Sequence, residues 1–204
     1  MDKEFKKVLI ETPISKLKNL DIKCTSTKCE DGLHCFNMTK KAIKNFGKDG
    51  LCRDCGKQLI DWKRFQKNDI TDIKFLVKSL DIELIRHAFW HSPIEEKAIQ
   101  LAQKRGIRLL RQMVHRRIKN SIGNRQNYRE GKQTTIGGSE IIHYGQHATG
   151  TCCRKCLEYW HNIKMGTDLT EKQLEFCTEL VMYYIEKRVP HLTDEGATKN
   201  RANE

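Results

Sequence analysis

Residues 71–91 read TDIKFLVKSLDIELIRHAFWH, and their apolar residues recur at steps of three and four. This period places the apolar side chains on one face of an α-helix, where they can pack against a core. The stretch therefore predicts a helical body at the centre of the chain. The residues on the shared face are Ile73, Leu76, Val77, Leu80, Leu84, Ile85 and Ala88.

The residues that follow have the composition of a helix start. Ser92 is the predicted N-cap, Pro93 the first helical residue and Glu95 the third. The helix is predicted to continue to about Ile122. Gly106 is its weakest position, because glycine has a low helix propensity.

Two further segments lie C-terminal to this helix. Residues 123–146 contain five glycines and predict a loop with short strands, one of which covers residues 141–144. Thr170 and Gln173 have the spacing of a capping box and predict a last helix that stops at Pro190.

Residues 24–62 differ in composition from the rest, because they contain five of the nine cysteines and four glycines. A module this small and loop-rich cannot be stabilised by burial alone. Residues 38–46 predict one short helix, with Gly47 at its C-cap. Clustered cysteines in a reducing compartment bind metal more often than they form disulfides, so we expect a zinc-ribbon-like module.

Cys52 and Cys55 have the spacing of a zinc knuckle, in which two thiolates reach one Zn²⁺ at about 2.3 Å. Cys24 and Cys29 are the expected partners, and Cys35 is an alternative ligand. Zinc binding contributes about 10–16 kcal/mol in zinc-finger peptides, which is the kind of stabilisation that this module needs. The competing interpretation is a cluster of free or redox-active thiols.

A second cluster of cysteine and histidine lies closer to the C-terminus. Cys153 and Cys156 again have knuckle spacing, and His161 can return to them along a helix. His147 completes a tetrahedral site with two cysteines and two histidines, or Cys152 replaces it. Three protein ligands alone would indicate an open, catalytic site. The competing interpretation is a buried cysteine pair that caps the following helix.

Glu83, His87 and His91 are spaced by four residues and so project from one helix face. A carboxylate and two imidazoles in this arrangement can hold a metal or share a proton. His143 and His147 are expected to converge on the same place, and the five residues form the candidate catalytic group. The competing interpretation is that a histidine near a helix C-terminus only caps it.

Lysine and arginine outnumber aspartate and glutamate by 38 to 26, so the net charge is +12 and a polyanion is the expected partner. Six basic residues of the long helix lie within about 40° of one line, about 33 Å long. This basic stripe predicts contacts with nucleic-acid phosphates, and an ordinary solvated face is the alternative. The stripe consists of Lys97, Lys104, Arg108, Arg111, His115 and Lys119, and Arg125 continues the charge into the next loop.

Residues 146–161 read QHATGTCCRKCLEYWH, and this run resembles the core of a family known as a domain of unknown function. The resemblance implies kinship and carries no activity with it. It adds weight to a role for His147 beyond packing. The resemblance also takes in residues 24–29, 33–36, 85–91 and 132–134, and so covers most of the chain.

We expect a mainly α fold with a small β component (α+β), in which the zinc-ribbon-like module packs on a helical body that carries the second Cys/His site. The predicted parts are residues 1–62 for the N-terminal segment and module, 63–192 for the body and 193–204 for a frayed tail. No run approaches the roughly 18 apolar residues of a membrane span, and no signal-peptide pattern occurs. We therefore expect a cytoplasmic protein without membrane partners.

The expected function is that of a zinc-binding, nucleic-acid-associated protein, with one Zn²⁺ in the N-terminal module and room for a second at the other cluster. A metal- or histidine-dependent nuclease or glycosylase, acting in repair or defence, is the enzymatic hypothesis. The alternatives are a non-enzymatic zinc-ribbon protein that binds DNA or RNA, and a basic adaptor that binds acidic proteins.

Overall fold

The structure is a computed structural model, and it describes residue 11 and residues 25–37, 40–46, 50–125 and 134–196. It is mostly helical, as expected. None of the described helices combines the length and the apolar composition needed to cross a bilayer. The helices are α1 (Lys40–Phe46), α2 (Trp62–Phe65), α3 (Ile73–Leu80), α4 (Leu84–His91), α5 (Glu96–Ile122), α6 (Ile141–Ala148), α7 (Arg154–His161) and α8 (Glu171–Arg188), with 3₁₀-helices at Cys29–Asp31 and Ile70–Asp72.

The core of the body lies around α6 and α8. Helix α8 packs on α5 and α6, and α6 packs on α4. The predicted capping box is confirmed, because the Thr170 and Gln173 side chains each bond the other's backbone N–H, and α8 ends at Arg188. The buried residues along α8 include Leu174, Cys177, Leu180, Val181, Tyr184 and Ile185.

The helical period of residues 71–91 is confirmed, but the stretch forms two helices. Helix α3 ends at Leu80, and α4 begins at Leu84. Between them Glu83 has an extended backbone, and its side chain accepts the Arg86 N–H as an N-cap. An N-cap residue lies outside the helical region of φ/ψ space, so the helical phase is not carried from α3 into α4.

The predicted helix start at Ser92 is wrong. Ser92 is the C-cap of α4, and α5 begins at Glu96 with Glu95 as its N-cap. Pro93 explains why α4 ends, because a residue before proline is driven out of the helical region, but residues 93–95 are not helical and α5 starts only after them. Ser92 accordingly has φ −63° and ψ 148°.

The predicted strand over residues 141–144 is wrong, because these residues open helix α6. Two adjacent isoleucines suggested a strand, but packing against neighbouring helices overrides so short a local preference. Gly145 permits this packing, since a Cβ at that position would stand 2.9 Å from a methyl carbon of Val181. The glycine therefore marks a close approach of α6 to α8.

In the described part of the Cys-rich module, helix α1 lies where the sequence predicts it; its expected C-cap, Gly47, lies outside the described residues. A zinc ribbon's hairpins are not found in the described part of this module. The backbone there pairs only at two isolated bridges, Lys28 with Leu33 and His34 with Glu83. The small β component is thus reduced to single residue pairs.

Gly106 divides α5 into two segments. Its φ of 73° and ψ of 168° belong to a region open almost only to glycine. The freed N–H groups of Ile107 and Arg108 donate to the carbonyl oxygens of Thr193 and Asp194. Residues 193–196, assigned from the sequence to the tail, therefore lie against this break.

The replacement Gly106→Ala should lower the free energy of unfolding by about 3 kcal/mol or more. An alanine Cβ would stand 2.2 Å from the backbone N of Gly196, in addition to the strained φ. Gly166→Ala is the matched control, because Gly166 has the same φ of 73° and open space around it. The control should cost only about 1–2 kcal/mol in chemical denaturation, and equal losses would contradict this account.

Candidate metal centres

The first candidate centre comprises Cys29, His34, Cys52 and Cys55, whose ligand atoms all lie within 4.8 Å of one another. The Sγ atoms of Cys29 and Cys52 are 3.6 Å apart, and Cys55 Sγ lies 3.5 Å from His34 Nδ1. Sulfur ligands about 2.3 Å from a tetrahedral zinc stand about 3.8 Å apart. The group thus has the composition and spacing of a Cys₃His zinc site.

Two tight turns bring these four residues together. Gly32, with φ 72°, ends the 3₁₀-helix that begins at Cys29 and turns the chain back toward His34. The second turn is closed by the Gly56 N–H, which donates to the Cys52 carbonyl at 2.9 Å, and it places Cys55 beside Cys52. Short turns of this kind are how zinc knuckles present two thiolates to one ion.

Electrostatics in the first centre favour a bound cation. Burial and the neighbouring thiols of Cys52 and Cys55 raise the pKa of Cys29 to about 12. Burial acts to raise the pKa of Cys52, but hydrogen bonds with backbone groups lower it by more, so the pKa of Cys52 is lowered overall. Burial, and then the charge of Lys57, lower the pKa of His34. A divalent ion would remove the repulsion between thiolates.

Three of the predicted residues, Cys29, Cys52 and Cys55, are brought together here. Cys24 lies outside the described residues. Cys35 is fully buried but is not a member of the group, and burial raises the pKa of its thiol to about 11. His34 stands in the fourth position, which the sequence assigned to a cysteine. Its spacing of five residues from Cys29 is the signal that could have identified it.

The second candidate centre comprises Cys152, Cys153 and Cys156 at the N-terminus of α7. The sulfurs of Cys152 and Cys156 are 3.5 Å apart. Hydrogen bonds from the other two thiols hold the pKa of Cys153 well below its usual range, whereas the pKa of Cys152 is raised to about 12. The buried positive charge of Arg86 opposes the rise at Cys152. Three sulfur ligands in this arrangement are suited to a soft metal ion.

Neither predicted histidine joins this second group. His161 Nε2 donates to the Thr149 carbonyl at 3.0 Å, and its buried Nδ1 has no hydrogen-bond partner among the described residues. His147 stacks on Phe89, with ring centroids 4.3 Å apart, and its Nε2 donates to the carbonyl of Thr134. Burial lowers the pKa of both histidines to about 4. They are therefore uncharged parts of the core at neutral pH.

The third candidate group comprises Asp81, His87 and His91, and its carboxylate is not the one expected from the sequence. Asp81 Oδ1 lies 3.1 Å from His87 Nδ1 and 2.8 Å from His91 Nε2. These contacts outweigh partial burial and hold the pKa of Asp81 well below its usual range. Glu83 instead points inward as the α4 N-cap and pairs with Arg86.

The five predicted catalytic residues do not form one constellation. His87 and His91 stand together, with ring centroids 4.1 Å apart. His143 lines a separate surface depression of about 340 Å³ between α5 and α6, together with Arg117 and Glu140. Asp81 was missed because it precedes the break between α3 and α4 and has no helical spacing to the histidines.

The expectation of one straight basic stripe on α5 is wrong, because Gly106 interrupts the helix between Lys104 and Arg108. Part of the charge is also neutralised within the chain. Arg108 pairs with Glu195, and Arg111 with Glu179. Arg125 is exposed, and its backbone N–H donates to Asp168. The stripe residues that form no ion pair with a described residue are Lys97, Lys104, His115 and Lys119.

Comparison with known proteins gives one family. Residues 74–186 match the family model described as Domain of unknown function (DUF4186). The match spans the second and third groups and confirms the resemblance to a domain-of-unknown-function family. The first centre lies before it, as do residues 24–29 and 33–36, which the sequence resemblance also included. No solved structure matches the chain.

The replacement His147→Ala should lower the free energy of unfolding by about 3 kcal/mol, because it removes a buried ring and leaves the Thr134 carbonyl unpaired. His115→Ala, at a half-buried position of α5, is the control and should cost less than about 1 kcal/mol. Thermal or denaturant unfolding measures both. A fully stable His147→Ala variant would contradict a core role for this residue.

Proposed function

The chain belongs to the family described as a domain of unknown function (DUF4186), and because that description assigns no activity, we propose a function from the chain's own side chains. We propose that it is a zinc-binding protein with two thiolate centres, the first of which holds the N-terminal module on the helical body. The observation that carries this proposal is the convergence of Cys29, His34, Cys52 and Cys55 within 4.8 Å.

The donor set supports zinc at the first centre. Thiolate and imidazole ligands favour zinc, whereas magnesium and calcium take oxygen ligands. Four protein ligands close a tetrahedral site, which is the arrangement of structural zinc. Such an ion stabilises a short, loop-rich module, because the binding free energy is also folding free energy.

The second centre is proposed on the three thiols of Cys152, Cys153 and Cys156. Three thiolates and one Zn²⁺ carry a net charge of −1. The buried guanidinium of Arg86 and the N-terminus of α7 both offset this charge. Three ligands from the described residues leave a fourth position for water or another group.

Zinc-replete protein, dialysed against a weak chelator, should retain two zinc ions per chain by elemental mass spectrometry. Cys52→Ala should retain one, because it opens the first centre, and Cys153→Ala should also retain one. Cys177→Ala is the matched control, since Cys177 is a buried cysteine outside both groups. It should retain two ions.

Removal of zinc with a strong chelator should lower the melting temperature, because the module loses the ion that stabilises it. Readdition of zinc should restore it. The proposal fails if the purified protein holds no zinc and its melting temperature is the same after exhaustive chelation.

Binding of nucleic acid is a second candidate function, favoured by two exposed cations on the unbroken C-terminal segment of α5. Arg116 and Lys119 lie three residues apart, and neither forms an ion pair with a described residue. The net charge of +12 adds a long-range attraction for polyanions. Because the five predicted catalytic residues do not converge on this surface, the proposal here is one of binding.

The double variant Arg116→Ala/Lys119→Ala should weaken binding to labelled DNA and RNA oligonucleotides. The slope of log K against log salt should fall in magnitude by about 2, because each phosphate contact contributes about 0.9. Lys74→Ala/Lys78→Ala removes two exposed cations of α3 and serves as the control. Fluorescence anisotropy across a salt series measures the binding of both double variants. If Arg116→Ala/Lys119→Ala has the same slope of log K against log salt as the wild type, this surface does not bind nucleic acid.

A further inference from the structure

We propose that Asp81, His87 and His91 form a third metal site of a different kind, an exchangeable site for a first-row divalent transition-metal ion such as Mn²⁺ or Fe²⁺. One ligand atom from each residue lies within 4.8 Å of the other two. Two imidazoles and one carboxylate are the ligand set that binds such ions while leaving coordination positions open.

The distances within this triad fit a shared ion. Asp81 Oδ1 lies 3.1 Å from His87 Nδ1 and 2.8 Å from His91 Nε2. Ligand atoms about 2.1 Å from one metal and at right angles to each other stand about 3 Å apart. An ion can therefore replace the N–H donors around this carboxylate oxygen with little movement.

The exposure of the triad distinguishes it from the thiol centres. The side chains of Asp81 and His91 are 35% and 34% exposed, and that of His87 is 16% exposed. Cys152 and Cys153, in contrast, are 2% exposed. A metal held by the triad would face solvent, so it would exchange readily and carry water ligands.

The backbone around the triad is held in place before any ion binds. His87 and His91 stand one turn apart on α4, whose N-cap is formed by the Glu83 side chain. Asp81 is joined to α3, because its N–H donates to the Val77 carbonyl at 2.9 Å. The ligands are therefore presented by two helix ends and not by a free loop.

Titration of the zinc-loaded, dialysed protein with Mn²⁺ tests the proposal. Manganese is the suitable probe, because it prefers oxygen and nitrogen ligands and competes poorly for thiolates. We expect one Mn²⁺ per chain by electron paramagnetic resonance, with faster relaxation of water protons because water occupies the open positions.

Asp81→Asn and His91→Ala should each weaken Mn²⁺ binding by at least about tenfold. Loss of a residue that only hydrogen-bonds to a metal ligand already lowers metal affinity by about that factor. His115→Ala, a histidine outside the triad, should leave the affinity unchanged. His91→Gln is a second replacement that preserves side-chain length, and circular dichroism confirms folding of each variant.

Two results would overturn the proposal: no Mn²⁺ bound by the folded protein, or equal affinities in the wild type and the triad variants. Either result would identify the triad as a hydrogen-bonded group only. Zinc content is measured on the same samples. A protein that lacks zinc at the thiolate centres is therefore distinguished from one that does not bind Mn²⁺ at the triad.

Discussion

A buried ion pair between Glu83 and Arg86 lies at the first turn of α4, and the three candidate metal groups are arranged around it. Both side chains are almost fully buried, at 4% and 2% exposure. Burial raises the pKa of Glu83, and the charge of Arg86 opposes the rise. A buried charge pair is tolerated only where further hydrogen bonds and charges satisfy it. The charge of Arg86 also acts on the thiols of Cys152 and Cys156, where it opposes the rise of their pKa values.

His34 connects the first centre to the same turn. Its N–H donates to the Ile82 carbonyl at 2.8 Å, and its carbonyl accepts the Leu84 N–H at 3.0 Å. A ligand of the first centre is thus hydrogen-bonded to the segment that separates α3 from α4 and that begins at Asp81. Ring contacts between Phe36 and Trp160 add apolar packing between the module and α7. A module without a large core of its own is in this way attached to the body at both polar and aromatic contacts.

Helix α5 shows why a count of charged residues along the sequence overestimates the positive charge that a helix exposes. Between Glu96 and Lys132 the sequence is almost free of acidic residues. The carboxylates that neutralise Arg105 and Arg111 come from Glu140 and Glu179, which are 35 and 68 residues away. Packing therefore pairs basic residues of α5 with carboxylates from distant parts of the chain. The unpaired positive charge on the helix is smaller than the sequence indicates.

Much of this protein could be predicted from the sequence, because the relevant signals are local. Helical periods, the Thr170 capping box and the knuckle spacing of Cys52 and Cys55 depend on residues a few positions apart. The predicted strand at 141–144 and the predicted N-cap at Ser92 are wrong, because the local preferences behind them are weak. Packing between helices outweighs the strand preference of Ile141 and Ile142, and α5 begins at Glu96 although Ser92 and Pro93 have the composition of a helix start.

Only the tertiary structure decided which residues meet at each site. The approach of His34 to Cys29 depends on a left-handed turn at Gly32, and the approach of Asp81 to His87 and His91 depends on the break between α3 and α4. Spacing along the chain limits which residues can be ligands. The directions in which side chains point are set by where each helix begins and ends and by what is buried beside it.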